Sequence, residues 1–553
     1  MNRGPVRLAR TLAVLLACPM LACGCWLFDD GGSAPQLQVD PSSLRRAEVL
    51  DVQAMAPGQA APAGQAAAPQ TPAPVERPGQ ETDLTLQESR VAALANNLDL
   101  HVELVNPSVA QEAAKEQEAV FEPSLFADAS FQKTVTISDP DLGVGPVTTR
   151  TVGGDAGVNF PLRTGGTVTI GAAGSRTTTA GVPGTGPLYS VNPSVTLTQP
   201  LLRGGGVSTN TYAIRIARYQ VQIVEAQTKL AVMRVIAAVD RGYWRLYAAR
   251  RELEVRKSEY DLAGEQLARA RRMLAAGATP QVEIVRAETG VADRLEAIII
   301  ADNAVRDRER EFKHLINRRD LPVEGPTAVV PVTPPDTSYH DLDQDKLIAA
   351  ALDHRMELLD VELHLAQDAS TVDLQRNAAL PFLAVNYTYG INGLGSTAGD
   401  ALDMTFDHNF ENHTLGLNLT VPLGNKAAIA RLRQALYLKW QTLATREQRV
   451  QQVRQDVAGA LDALESDWRR IAAAQQRVTM AQRNTDAEVR QFQVGLRTST
   501  DVLQAQADLA DAQLAEITAE TEYQISKVDL AFAVGMLLGE ATVEWQPIVP
   551  PGK

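Results

Sequence analysis

Cysteine is nearly absent from this chain, and its distribution excludes several classes of site. The three cysteines, Cys18, Cys23 and Cys25, all lie close to the N-terminus of the 553-residue sequence. Disulfides and cysteine-bound metal centres are therefore excluded from the rest of the protein. The seven histidines are scattered, and neither an HExxH nor a GxSxG motif occurs. We expect no metal, no cofactor and no enzymatic activity.

An excess of positive charge and long apolar runs are also missing. The chain has 52 Lys and Arg against 66 Asp and Glu, a formal net charge of -14, and no basic stripe with interleaved aromatic residues. This composition argues against nucleic acid as a partner. After the N-terminus no apolar run reaches about 18 residues, so no transmembrane helix is predicted. A closed barrel of strands with period-two alternation could still span a membrane.

The N-terminus has the organisation of an export signal. Three arginines precede an apolar stretch over 11–22 that is too short to span a bilayer. We predict a lipoprotein-type signal peptide over 1–25, with Cys25, or alternatively Cys23, as the lipidated residue. A conventional cleaved signal is the competing interpretation. Residues 26–80 are rich in Pro, Ala and Gly, which predicts an extended tether rather than a packed core.

The remainder of the sequence contains an internal repeat. NNLDLHVE at 96–103 aligns with HRMELLDV at 354–361, and TQPLLRG at 198–204 aligns with TVPLGNK at 420–426. Both copies have the order short helix, proline, strands, proline, long helix, glycine-led tip, long helix. A fixed order with one variable insertion is typical of a duplicated structural unit. The first copy has more residues between its prolines, which predicts an added hairpin or extra strands.

Between the prolines the hydrophobic pattern has a period of two. Leu415, Leu417 and Leu419 alternate with Gly416 and Asn418, for example. We predict strands over about 124–202 and about 382–422. A strand with one apolar and one polar, uncharged face suits a transmembrane barrel with lipid outside and water inside. A soluble β-sandwich has the same alternation, so the strands alone leave both architectures open.

The segments that follow the strands predict very long helices. No proline occurs between 423 and 546, and Ala, Gln, Leu, Arg and Glu dominate there. We predict two helical hairpins, over 204–320 with a tip near 277 and over 424–538 with a tip near 495. The second tip contains Asp501, which is placed to cap the following helix. Two apolar seams on that helix indicate neighbours on both sides, as in a bundle or a ring of helices.

The chain resembles the TolC-like outer membrane efflux protein family over roughly 84–540. The resemblance is carried by the repeat, by QPLLRG before the first long helix and by VGLRTSTDVLQAQ at the second tip. It implies an α+β membrane protein: a trimeric outer-membrane β-barrel continued by a long periplasmic α-helical barrel. The predicted domains are a first repeat over 81–320, an equatorial linker over 321–345, a second repeat over 346–540 and a C-terminal tail over 541–553.

The resemblance also implies that the helical tips form a periplasmic gate and an adaptor-docking point. Arg497 is expected to pair with Glu283 or a neighbouring carboxylate and hold the mouth shut. Three copies of Asp501 would form a ring that favours cations. The competing interpretation is that Arg497 and Asp501 are ordinary solvated cap residues. The candidate site residues are Gly277, Glu283, Phe492, Gly495, Arg497, Asp501 and Gln504.

The resulting functional prediction is a passive exit duct of a tripartite efflux or type I secretion system. Its expected partners are two further copies of the chain, a periplasmic adaptor, an inner-membrane pump and outer-membrane lipid. One rival hypothesis is a lipid-anchored periplasmic coiled-coil scaffold without channel activity. A second rival is an exported enzyme that uses the Asp, His and Glu residues of 399–413 as a metal site, although we favour a polar extracellular loop there.

Overall fold

The computed structural model describes residues 81–136, 146–181, 184–277, 280–494 and 496–541. The predicted signal peptide, the tether, Cys23, Cys25, Gly495 and nearly all of the C-terminal tail lie outside the described residues. In chain order the elements are β1 Glu81–Leu84, α1 Leu86–Asn96, α2 Leu98–Glu103, α3 Asn106–Ala119, β2 Ser124–Thr136, β3 Val147–Pro161, β4 Thr167–Ala180, β5 Leu188–Pro200, α4 Val207–Asn210, α5 Tyr212–Ala275, α6 Gln281–Ile316, β6 Ala328–Pro331, α7 Gln344–His354, α8 Met356–Ala378, β7 Phe382–Ile391, β8 Gly393–Gly395, α9 Ala398–Phe406, β9 Glu411–Thr420, α10 Lys426–Gln493, α11 Ser499–Val534 and α12 Leu537–Glu540.

Two antiparallel helical hairpins dominate the fold. The first pairs α5, of 64 residues, with α6, of 36 residues. The second pairs α10, of 68 residues, with α11, of 36 residues. At 1.5 Å per residue, α5 and α10 are each about 100 Å long. Among the described residues, none of the helices combines the length and the apolar composition needed to cross a membrane.

The long strands form one antiparallel sheet with the order β2-β3-β4-β5-β7-β9, and the short β8 pairs with β5. The strand segment of the first repeat, between its two flanking prolines, therefore contributes four long strands. The corresponding segment of the second repeat contributes two. The longer first segment is occupied by additional strands, as one of the two alternatives for that segment predicts. The 399–413 segment is not purely a loop, since it contains α9, which begins with a capping box formed by Thr397 and Asp400.

The two faces of this sheet differ sharply in polarity. Residues paired across antiparallel strands lie on the same face, and one such row runs through Leu125, Val158, Ile170, Val195 and Tyr389. The row beside it contains Phe160, Val168, Leu197, Tyr387 and Leu415. The opposite face carries mainly Thr, Ser, Asn and Gly, together with the cross-strand pair Asp128 and Asp155.

No second layer of described residues covers the apolar face of the sheet. Leu415 and Leu417 on β9 are 72% and 73% exposed, and Leu125 and Phe131 on β2 are similarly exposed. A sheet face in a soluble protein normally packs against a second layer. The function of this chain must therefore be consistent with an exposed apolar sheet face.

The linker between the two repeats is held against the helices by buried polar contacts. Its strand β6 pairs in parallel with β1. The Lys313 ammonium donates to the carbonyls of Gly325 and Thr327 at 3.1 and 2.7 Å and pairs with Glu309 at 3.2 Å. Because Lys313 is buried, these acceptors compensate for the hydration that its charge loses. The chain of 325–331 is thus fixed beside α6.

A second contact fixes the linker beside α11. The Lys527 ammonium lies 3.0 Å from a carboxylate oxygen of Asp336, whose carboxylate also accepts hydrogen bonds from the Ser338 backbone N–H and hydroxyl. These donors, Lys527 first, lower the pKa of Asp336 to about 2. The Tyr523 hydroxyl donates to the Ser338 carbonyl at 2.6 Å. The linker therefore touches helices of both hairpins.

Candidate functional site

The tip of the first hairpin is a short turn between α5 and α6. Gly277 has a φ of +70°, in the left-handed region that favours glycine. An added Cβ at Gly277 would meet no atom within 4 Å, so the backbone conformation, and not lack of space, requires glycine there. Pro280 then supplies the N-cap residue of α6 with an extended backbone. Among the described residues of this turn, the N-cap of α6 makes no side-chain capping hydrogen bond.

The tip of the second hairpin is closed by a capping box. Thr498, rather than Asp501, is the N-cap of α11, and its hydroxyl accepts the Asp501 N–H at 3.3 Å. The Thr498 N–H and hydroxyl donate to the Asp501 carboxylate at 2.8 and 2.9 Å. These two donors, with a smaller contribution from the charge of Arg497, lower the pKa of Asp501. Asp501 is therefore ionised at neutral pH and satisfies orphan donors at the start of the helix.

Glu283 connects the two tips. It lies in the first turn of α6, and its carboxylate accepts the backbone N–H of Ser499, the first residue of α11, at 3.3 Å. The other carboxylate oxygen pairs with Arg286 at 2.6 Å, and the Glu283 side chain is only 12% exposed. A carboxylate at a helix N-terminus is favoured by the helix dipole as well as by the hydrogen bond. Glu283 thus binds the first hairpin to the second.

Arg497 contacts the carboxylate of Glu488 and not that of Glu283. Its Nε lies 3.1 Å from Oε2 of Glu488 and 3.0 Å from Oε1 of Gln491, to which its N–H donates. This Glu488 oxygen accepts no hydrogen bond from the residues that the structure describes, so its contact with Arg497 is electrostatic. Glu488 and Gln491 both belong to α10, the preceding helix of the same hairpin. Arg497 therefore ties the second tip to its own hairpin and does not bridge the two hairpins.

The remaining predicted site residues occupy two kinds of position. Phe492 is buried in the last turn of α10. Gln504 is exposed one turn after Asp501, and its amide donates to Asp508 at 3.0 Å. Phe492 therefore supports the tip from inside, whereas Gln504 is available to a partner or to solvent.

Sequence reasoning missed a second connection between the hairpins, about three turns beyond Glu283 on α6 and one turn beyond Ser499 on α11. Arg294 on α6 donates to the Leu503 carbonyl of α11 at 3.3 Å and pairs with Glu259 on α5 at 3.2 Å. Arg256 also pairs with Glu259, at 3.1 Å. The Leu503 side chain packs against Gly290, where an added Cβ would lie 3.0 Å from Leu503 Cδ1. A glycine in mid-helix was the one available signal in the sequence.

The site is therefore a set of contacts that hold two hairpins together at their tips. Its polar groups are carboxylates, guanidinium groups and backbone amides, and they are engaged with each other. Within the described ranges, no three His, Cys, Asp or Glu side chains are grouped so that they could hold a metal ion. The geometry is suited to a reversible mechanical contact.

The comparisons with known proteins agree with this architecture. The family model described as "Outer membrane efflux protein" matches residues 167–318 and 347–536, more than half of the chain. BepC of Brucella suis biovar 1 (strain 1330), an outer membrane efflux protein, is 24% identical over 311 residues, which span 55% of this chain but only 65% of BepC. CusC has a similar fold, with a TM-score of 0.60, 15% identity, and coverage of 85% of this chain and 99% of CusC. The Campylobacter jejuni CmeC outer membrane channel gives a TM-score of 0.59 at 17% identity, with 82% and 86% covered. The family predicted from the tip and transition motifs is thus confirmed, and the chain belongs to the outer membrane efflux protein family.

Proposed function

We propose that this chain is a passive outer-membrane exit duct in which three copies close one β-barrel and continue as a helical tube into the periplasm. The observation that carries the proposal is the junction of an uncovered apolar sheet face with helices of about 100 Å. A periplasmic scaffold would cover that face with a second layer, and lipid covers it in a duct. The scaffold hypothesis is therefore the weaker one.

The strand order favours closure with further copies of the same chain. β2 and β9 are the two edges of the sheet, and most of their residues are exposed. The sheet has six antiparallel strands, an even number, so its two edge strands run in opposite directions. β2 of one copy would therefore run antiparallel to β9 of the next. Three copies of six strands would make an eighteen-stranded barrel, the size class that leaves an aqueous channel. The polar face of the sheet would then line the water.

The tips would form the gate in this assembly. Glu283 and Arg294 hold α11 against the first hairpin, and Arg497 stiffens the second tip. The Arg497 contact is partly exposed and is therefore worth at most about 1 kcal/mol. Contacts of this strength bias a gate without locking it, which suits opening by a docking partner. Three copies of Asp501 would give the opening a negative ring that favours cations.

The duct would perform no chemistry of its own. Energy for transport would come from an inner-membrane pump, coupled through a periplasmic adaptor that contacts the tips. BepC is named an outer membrane efflux protein, and we extend that role to this chain.

Cysteine cross-linking in membranes tests the assembly. Ser130 on β2 is replaced by cysteine and combined in turn with cysteine at four polar-face positions of β9, which are Asn412, Thr414, Gly416 and Asn418. We expect at least one combination to give disulfide-linked dimers and trimers, because a disulfide needs neighbouring backbones. The matched control places the first cysteine at Ser175 of β4, which is paired on both sides within its own sheet. Cross-linking from Ser175 but not from Ser130 would contradict the proposed edge pairing.

A further inference from the structure

Three cationic side chains lie together on the apolar face of the sheet. Lys133 on β2 and Arg150 on β3 are directly paired across the two strands. Arg176 on β4 is paired with Val152, so it lies two residue pairs nearer the helices than Arg150, on the same face of the neighbouring strand. All three residues are exposed. They are the first charges met along these strands on a face that is otherwise apolar or small.

The position of the cluster corresponds to one boundary of the apolar band. On β3 the band runs from Phe160 to Val152 and ends at Arg150. Those eight residue steps measure about 27 Å along the strand, or about 21 Å in height at a strand tilt near 40°. A lipid-facing band is about 25 Å tall. Phe131 and Lys133 mark the same change on β2, and this boundary lies at the end of the sheet away from the long helices.

The cluster lacks compensating negative charge within the part of the chain that the structure describes. Neither Lys133, Arg150 nor Arg176 has an ion pair there, although Arg176 lies over the Tyr189 ring at 5.6 Å. Like charges directly opposite each other on neighbouring strands are destabilising. An anion bound between the two cations would reduce this destabilisation, because at this edge of the apolar face it would relieve the repulsion between the paired Lys133 and Arg150.

We propose that Lys133, Arg150 and Arg176 bind the phosphate groups of a phosphorylated glycolipid in the outer leaflet, a lipid of the lipid A class. This inference rests on the proposed function, because it needs the apolar face to contact lipid. Guanidinium groups offer paired donors to phosphate, and the lysine adds a point charge. The acyl chains would lie along Phe131 and Val152. Each protomer of a trimer would carry one such site.

Native mass spectrometry of the detergent-purified full-length protein tests the site. Lipid A is titrated into the sample, with phosphatidylethanolamine, phosphatidylglycerol and inorganic phosphate as separate arms. We expect up to three lipid A molecules per trimer and about hundredfold weaker binding by the variant K133Q/R150Q/R176Q, at about tenfold or less per cation. The control R454Q/R477Q/R483Q removes three exposed arginines of α10 and should bind like the wild type. The charge-conserving variant K133R/R150K/R176K should retain binding even if the neutral variant assembles poorly.

The possible results separate this inference from the proposed function. Equal lipid A binding by the wild type and the neutral variant, or no binding by the wild type, would overturn the site. Equal binding of phosphatidylglycerol, or saturation by inorganic phosphate alone, would overturn its assignment to a lipid A headgroup. The mass of the assembly in the same spectrum tests the trimer independently, so a trimer without bound lipid refutes the site and leaves the duct intact.

Discussion

Replacing Glu283 by alanine is the sharpest single perturbation of the proposed gate. The change removes the acceptor of the Ser499 N–H and a negative charge at the N-terminus of α11. A hydrogen bond to a charged group contributes about 1.5–3 kcal/mol, and the 3.3 Å length places this one at the low end. We therefore expect a loss of about 1–2 kcal/mol per protomer. Over three protomers, about 3–6 kcal/mol would shift the ratio of closed to open channels by about 10²–10⁴.

Single-channel recording in planar bilayers measures this shift. We expect the E283A channel to spend far more time open than the wild type at equal voltage and salt. The matched control is E288A on the same helix, which removes a carboxylate that pairs with Arg271 at 2.9 Å. Arg271 and Glu288 belong to the two helices of one hairpin and are both well exposed. The loss of this ion pair should therefore leave the open fraction unchanged. Equal open fractions for E283A and the wild type, or an equal effect of E288A, would refute the role assigned to Glu283.

Three further predictions concern the tips and the linker. T498A removes the N-cap of α11 and should cost about 1 kcal/mol, seen as faster hydrogen exchange in the first turn of α11, and unchanged exchange there would contradict the capping box. Gly290→Val crowds Leu503 and should separate the hairpins, raising the open fraction, whereas an unaltered channel would show that this contact has no part in gating. The pKa of Asp336, lowered to about 2, predicts that its contact with Lys527 contributes fully above about pH 3.8 and is lost as the pH falls toward 2. Limited proteolysis of the linker should accordingly be constant from pH 7 to 4 and increase below that, and an increase between pH 6 and 5 would contradict the assignment.

Much of the architecture could be predicted because it depends on local patterns. The absence of proline and the abundance of good helix formers are sufficient to identify α5 and α10. The period-two alternation in Leu415, Leu417 and Leu419 identifies β9 and its apolar face. Gly277 could be recognised as a turn residue because only glycine adopts its backbone conformation without strain. These features need no knowledge of what lies nearby in space.

The contacts at the tips could not be predicted in the same way. Glu283 and Ser499 are brought together by the packing of one hairpin on the other, and their separation in sequence gives no indication of it. Arg497 had several carboxylates within reach, and the choice of Glu488 depends on how the turn is oriented. Arg294 and the buried Glu259 occur in helices where arginine and glutamate are common, so nothing in their local sequence distinguishes them.

The trimeric duct is the central claim, and electron microscopy of the full-length protein in lipid nanodiscs tests it most directly. We predict a three-fold particle in which eighteen strands form one closed barrel, as three copies of six strands require. β2 of each copy should pair with β9 of its neighbour, and a helical stem of about 100 Å should extend from one side. A monomeric particle, or a trimer whose sheets remain separate and open-edged, would contradict the claim.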